Sequence, residues 1–258
     1  GFLSLLMLVS VIPQAGVALA AVGRGWALTP LPIHYTLEFF RQVSFETPKF
    51  IVNSFLFSGL AVIMCLVIGV PMAWIMARTR APGRNTMDAL TTLILAISGT
   101  ALGIAFIRAF NFPLPAIDVP LTSMWIILPL VLAVRRLPYT VRGSLSSLLL
   151  VHKSMEEAAE NVGASKMRTF WDITVPLAWK GILVGALFSF LTSIQEASAT
   201  IFLTLGGWEM MPFGIFTFYI AGSQSQAAAL GAILIAMCAL SLYIVNRIAG
   251  TRVGGLFG

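Results

Sequence analysis

The fold of this chain turns on Glu157 to Pro176, EAAENVGASKMRTFWDITVP, a charged, glycine-punctuated run in the middle of an otherwise oily sequence. Ahead of it, Ser154-Met155-Glu156-Glu157 has the spacing of a capping box, in which a serine hydroxyl and a glutamate three residues on satisfy unpaired N–H groups at a helix start. Ala158, Ala159 and Glu160 carry that helix onward. Gly163 offers the left-handed backbone that commonly follows a helix C-terminus. A second short helix is predicted from about Ser165 to Trp171, and Pro176 falls where the first turn of a longer helix tolerates a residue without an N–H. The run reads as helix, sharp turn, helix, with Ala158 and Ala159 small enough for a partner to approach closely. A helix lying flat on a membrane would also carry Glu and Lys, but it needs a sustained apolar face, uninterrupted by a Gly and a Pro at these offsets.

The flanks of this run are membrane-like. Of 258 residues, 58% are hydrophobic and 10% charged, with a mean hydropathy of +0.93, which leaves too little polar surface for a soluble domain of this size. A membrane-crossing helix needs about 20 apolar residues. Six stretches qualify, at Phe2 to Val22, Phe50 to Ala77, Ala89 to Ala109, Leu121 to Leu137, Leu177 to Leu203 and Ser223 to Val245. No internal repeat or low-complexity segment divides the chain, so residues 1–258 are expected to form one membrane domain. The start at Gly1, without Met, fits a trimmed N-terminus or the second half of a longer tandem polypeptide. Ala18-Leu19-Ala20 resembles a signal-peptide cleavage site, but no basic region precedes the apolar run.

The net charge of +6 raises nucleic acid as a partner, and the positions of the charges argue for a membrane instead. With both termini cytoplasmic, the inner segments hold Arg78, Arg80, Arg84, Arg135, Arg136, Arg142, Lys153, Lys166, Arg168, Lys180, Arg247 and Arg252, and only Arg24, Arg41, Lys49 and Arg108 fall outside. That asymmetry follows the excess of Lys and Arg on cytoplasmic loops, and it puts the Glu157 run inside. Cys65 and Cys238 lie within predicted spans and imply no disulfide framework. His34 and His152 fall on opposite sides, so no metal or catalytic pair is expected.

Outside the central run, the segment Gly23 to Lys49 is predicted as an extended stretch leading to a short interfacial helix, and Leu205 to Pro212 as an outer loop followed by another. Gly59, Gly69, Ser98-Gly99-Thr100 and Gly103 suit close helix packing, and Pro71 suits a bend. Glu196 falls in the outer half of the fifth predicted span. An intramembrane carboxylate generally faces a bundle interior or a wet cavity, so Glu196 is a candidate lining residue of a translocation path or its outer gate; capping or bonding a neighbouring helix is the alternative. A hard oxygen ligand would suit ferric iron, but one carboxylate makes no metal site.

The order Glu157-Ala158-Ala159, three residues, Gly163, nine residues, Ile173, two residues, Pro176 resembles the EAA loop of ABC-importer permeases, with Val175 standing where the pattern usually has Leu. The likeness extends over about Arg135 to Gly250. It is nearest to ferric-iron-type permeases through RRLPYTVRGS, the EAA loop and QEASATIFL; permeases for phosphonate, thiamine, polyamine, sulfate or molybdate share much of the pattern. The resemblance implies an all-α type I (MetI-like) importer permease of about six transmembrane helices in the bacterial inner membrane. In such a protein residues 154–176 form a cytoplasmic coupling loop, and Glu157, Ala158, Ala159, Gly163, Ile173 and Pro176 pass the motion of a separate ATPase to the spans. It further implies two ATPase copies carrying the ATP and Mg, a second permease half that is identical, homologous or fused, and an external solute-binding protein. The sequence has no Gly-x-x-x-x-Gly-Lys-Ser/Thr phosphate loop and no cofactor motif of its own. A gradient-driven secondary transporter would lack a use for the inner loop, and a membrane enzyme would need a cluster of catalytic residues that the sequence does not offer.

Overall fold

Long apolar stretches without water to bond their backbones must close their own hydrogen bonds, and in this chain they do so as helices. The computed structural model describes residues 1–26, 30–79, 82–113, 115 and 118–249. Arg80 and Arg252 of the inner segments and the end of the resemblance at Gly250 lie outside the described residues.

Helix α1 (Phe2–Val22) leads into a two-strand ribbon, β1 (Gly23–Arg24) antiparallel to β2 (His34–Tyr35), with Gly23 opposite Tyr35. A short α2 (Glu38–Arg41) and a π-turn (Gln42–Glu46) follow, as the aromatic outer segment suggested. Then come α3 (Lys49–Arg78), α4 (Arg84–Ala96), α5 (Gly99–Phe110), α6 (Ile127–Leu150), α7 (Lys153–Asn161), α8 (Lys166–Thr169), α9 (Val175–Ile194), α10 (Thr200–Leu203), α11 (Met211–Ile220) and α12 (Gln224–Ala249). Among the described residues four helical stretches are long and apolar enough to cross a membrane: Ser4–Val22, Lys49–Arg78, Lys166–Ile194 and Gln224–Arg247.

Three predicted spans differ from the structure in instructive ways. The third is not one helix: α4 and α5 meet at a bend of 110°. Ser98 ends the run by capping α5, its hydroxyl accepting from the Ala101 N–H at 3.2 Å. The fourth does not stop at Leu137. Helix α6 runs on through Pro138 to Leu150. It carries Arg135, Arg136 and Arg142, which is why it reads as less apolar than the others. The fifth is interrupted after Ile194, and Glu196 lies in the break between α9 and α10 rather than inside a helix.

Helices α3, α6 and α9 form the centre, and α12 carries α1 along its flank. The α6–α9 contact depends on glycine. A Cβ on Gly143 would sit 2.7 Å from the Gly185 Cα and 3.0 Å from the Gly181 carbonyl, and one on Gly181 would meet the Ser147 Cβ at 2.3 Å. The two backbones therefore approach as small-residue helix pairs do in lipid. Bonds between hydroxyls and backbone fasten the same seam: Thr140 to Ser189 at 2.8 Å, Ser147 donating to the Ala178 carbonyl at 3.0 Å, and Ser189 donating to the Arg136 carbonyl at 3.1 Å. Gly69 of α3 packs as expected against Thr140 and Leu137, whereas Gly59 faces open space. Many outward side chains on α1 and α3 are exposed apolar groups, as lipid contact requires.

Candidate functional site

The central run folds into an elbow at one end of the bundle. Helix α7 begins one residue before Ser154, and its cap is His152, whose Nδ1 accepts from the Ser154 N–H at 3.4 Å and pairs with the Ser154 hydroxyl at 2.7 Å. The expected Ser154 cap is thus displaced to the preceding imidazole. Gly163 adopts φ +91, and the turn is a Schellman closure: the Ala164 N–H reaches the Ala159 carbonyl and the Gly163 N–H the Glu160 carbonyl, both at 3.0 Å. Ser165 caps α8 through the Arg168 N–H at 3.3 Å. The chain then passes without interruption through a π-turn, Phe170–Thr174, into α9, where Pro176 sits in the first turn.

Three faces of α7 do three things. Met155, Ala158 and Val162, spaced three and four apart, line one wall of a groove of about 620 Å³ whose other side is Gly163, Ala164, Arg168, Asp172 and Ile173. Val162 is 86% exposed, and Met167 and Trp171, on the segment that follows the turn, are also exposed. Glu157 points away into solvent and meets Lys153 one turn back at 3.2 Å. Glu156 turns inward, and Ala159, also buried, lies at the edge of the groove. Glu156, 9% exposed, accepts from Arg78 Nε and from the Thr174 hydroxyl, each at 2.9 Å, and Arg78 Nη2 also donates to the Val151 carbonyl at 2.8 Å. The groove thus gathers Ala158, Ala159, Gly163 and Ile173. Glu157 and Pro176 lie outside it, both exposed.

At the other end of α9 stands Glu196, 4% exposed. Its Oε1 accepts from the Ser198 hydroxyl at 2.5 Å and from the Ala199 N–H at 3.1 Å. Its Oε2 meets the Arg136 guanidinium and lies 2.9 Å from Arg135 Nε. Arg135 Nη1 donates to the Ile97 carbonyl at 3.3 Å, and a Cβ on Gly99 would collide with the Ser198 hydroxyl at 1.9 Å. Two helix breaks, Ile97–Ser98 and Gln195–Ala199, are thereby tied to α6. Arg135 and Arg136, counted above with the inner segments, sit within α6, where Glu196 holds them. Two guanidiniums share one carboxylate, and neither Nε has a hydrogen-bond partner. Among the described residues no group of three or more His, Cys, Asp or Glu is placed to hold a metal ion.

Residues 69–255 match the family described as "Binding-protein-dependent transport system inner membrane component". The chain belongs to this family. Among individual relatives it is 28% identical over 223 residues to the ferric transport system permease protein FbpB of Actinobacillus pleuropneumoniae, covering 85% of this chain and 32% of that protein. It is 30% identical over 215 residues to the molybdenum transport system permease protein ModB of Escherichia coli K12, covering 76% of this chain and 92% of the relative. The sulfate transport system permease protein CysT of the same strain is 29% identical over 201 residues, 73% of each chain. The chain thus spans about a third of the length of the ferric relative. Its fold is that of importer permeases: a bacterial ABC transporter for alginate superposes with a TM-score of 0.70 at 15% identity, over 98% of this chain and 94% of the other. The methionine ABC transporter MetNI superposes with a TM-score of 0.58 at 18% identity, over 79% and 95%.

Sequence reasoning singled out Glu157 and passed over Glu156, and it found Glu196 without its partners. A signal for both was present. Glu156 shares a helical face with Ala159, three residues on, and that face had to meet something. A carboxylate in a span requires a cation, and Arg135-Arg136 is the basic pair that follows directly on the apolar run of the preceding span.

Proposed function

We propose that this chain is the translocation subunit of an ATP-driven importer, lying in the bacterial inner membrane with both termini cytoplasmic. Its elbow docks on a separate ATPase. The observation that carries this is the groove: a hollow lined by the exposed apolar Met155 and Val162 and by Ala158, Ala159, Gly163 and Ile173, and joined directly to α9. An exposed apolar patch bordered by charge, here Arg168 and Asp172, is the kind of surface a protein partner covers. The reading includes two ATPase copies that carry ATP and Mg, a second permease half that completes the path, and a solute-binding protein on the outer side. Residues 1–258 form one permease domain in it, and residues 154–176 its coupling loop. Glu196 belongs to the outer gate, holding the breaks at Ile97 and Gln195 against α6.

Ferric iron is the cargo we favour, on the likeness to ferric permeases over 85% of this chain. An oxyanion is the second reading. It is favoured by the buried cluster itself, where Arg135 and Arg136 outnumber Glu196 and the excess positive charge would repel a bare cation.

The test is purification and transport together. The chain, expressed with a candidate ABC ATPase and solute-binding protein from the same organism, should recover the ATPase from detergent. Reconstituted vesicles should then take up the ion that the binding protein carries. Glu157→Lys should keep insertion and lose ATPase recovery or uptake. A chain that purifies alone and moves solute without ATP would sink the importer reading; accumulation of molybdate or sulfate in place of iron would move the cargo to the second reading.

A further inference from the structure

Glu156 is not a groove residue, and it is not the exposed glutamate of the motif. It is the point at which three elements otherwise distant in the chain are joined. Its Oε1 accepts from Arg78, the last residue of α3, 78 positions away, and from Thr174, the last residue of the π-turn that becomes α9, 18 positions away. Arg78 continues the chain of bonds to the Val151 carbonyl at the end of α6. Both members of the ion pair are close to fully covered, with side chains 10% and 11% exposed, so the pair is screened little by water. The Thr174 hydroxyl also donates to the Thr169 carbonyl at 3.3 Å, which anchors the same junction to α8.

We infer that Glu156 is the positioning residue of the coupling element, a strut that carries displacement of α7 into α3 and α9 together. The inference rests on the importer reading above. The physical reason is directional. Groove contacts press on Met155, Ala158 and Val162, and the opposite load must be borne by whatever α7 leans on. Ala159 gives only a methyl contact. Glu156 gives bonds to two different helices, at the two ends through which a rigid motion of α7 can reach the central bundle. The π-turn Phe170–Thr174 sits at the inner end of α9 and holds one of these bonds, so movement of α7 pulls where the helix is already wound off its regular ladder.

The test uses the assembled complex of this chain with its ATPase and binding protein, comparing Glu156→Gln, Arg78→Gln and Thr174→Val. Two quantities are read: the ATPase recovered with the chain, and solute moved per ATP hydrolysed. The strut predicts wild-type recovery of the ATPase with transport per ATP reduced about tenfold in Glu156→Gln, within the range usual for coupling between sites. It predicts a similar loss in Arg78→Gln and a smaller one in Thr174→Val, which keeps the ion pair. The double variant Arg78→Glu with Glu156→Arg should recover coupling relative to either charge change alone, a result that simple loss of packing would not produce. Wild-type transport per ATP in Glu156→Gln with the ATPase bound overturns the strut. So does loss of the whole complex in all three variants together with no recovery in the double variant, which would make Glu156 a folding staple only. A wild-type chain that recovers no ATPase would overturn the importer reading, and the strut with it.

Discussion

At the end our proposal places inside, α9 grows out of an exposed elbow whose turn and caps are closed by bonds between residues two to five apart; at the end it places outside, α9 gives way to Glu196, which bonds Arg136 across 60 positions in a buried cluster. The first region takes its turn and caps from local rules and presents an exposed face to a partner, with one buried long-range pair, Arg78–Glu156, beneath it. The second is built from long-range charge pairing and hides its chemistry. The contrast teaches that stability and coupling are separated along one helix, so substitutions at the two ends should fail in opposite ways.

The largest effect is expected at the outer end. Glu196→Gln leaves Arg135 and Arg136 without a carboxylate and should destabilise the chain by about 3–5 kcal/mol, the cost of breaking a buried pair from one side. Arg135→Gln should cost clearly less, because Arg136 still holds Glu196. Thermal unfolding in detergent reads both, and equal losses would remove the asymmetry on which the cluster's description rests.

Next comes the seam between the two ends. Gly143→Ala drives a Cβ into the Gly185 backbone at 2.7 Å, where no side chain can swing aside, and should cost about 1–3 kcal/mol as an overpacked core does. The same assay measures it, with an unchanged midpoint contradicting the close approach of α6 and α9.

At the inner end the pattern reverses. Glu157→Lys breaks only an exposed pair with Lys153 and should change stability by less than about 0.5 kcal/mol, as surface changes do, while abolishing ATP-driven uptake. A variant that unfolds like Glu196→Gln would erase the contrast between the regions.

The smallest effect is one of pH, in the outer loop. Burial pushes the Glu209 carboxyl up, but N–H groups of its own residue and of Gly207, together with Lys49, outweigh it and hold the carboxyl below its ordinary value. A carboxyl depressed in the folded chain contributes stability that is full above its ordinary range and is lost as pH falls through the lower folded value. The amide protection factors of residues 205–210, which take out the intrinsic pH dependence of exchange, should therefore be flat from neutral pH down to the ordinary carboxylate range and fall in stronger acid, and Glu209→Gln should flatten that fall.

What the sequence disclosed follows the same division. The ends of α1, α3 and α12 were legible to within a few residues because apolar runs stop where loops begin. The elbow was legible because caps and the Gly163 turn depend on residues a few positions apart. The break at Ile97 was hidden: Ser98-Gly99-Thr100 reads equally as a packing seam, and only the Ser98 cap, the 110° bend and the fit of Gly99 against Ser198 make it an end. The reach of α6 past Leu137 was hidden because three arginines read as the end of a span, when two of them share the Glu196 carboxylate in the break after α9. The Glu156 bonds were hidden for the same reason, since Arg78 is remote in sequence.

The central claim, that the elbow faces the cytoplasm and is covered by an ATPase, is tested most directly by thiol labelling of Val162→Cys, which places a reactive group on the most exposed apolar position beside the groove; of the native cysteines, Cys65 is buried and Cys238 lies partly covered within α12. A membrane-impermeant maleimide should label this variant in inside-out vesicles and not in right-side-out ones, and adding back the ATPase should protect it. Labelling from the outer side, or labelling that the ATPase leaves unchanged, would contradict the account.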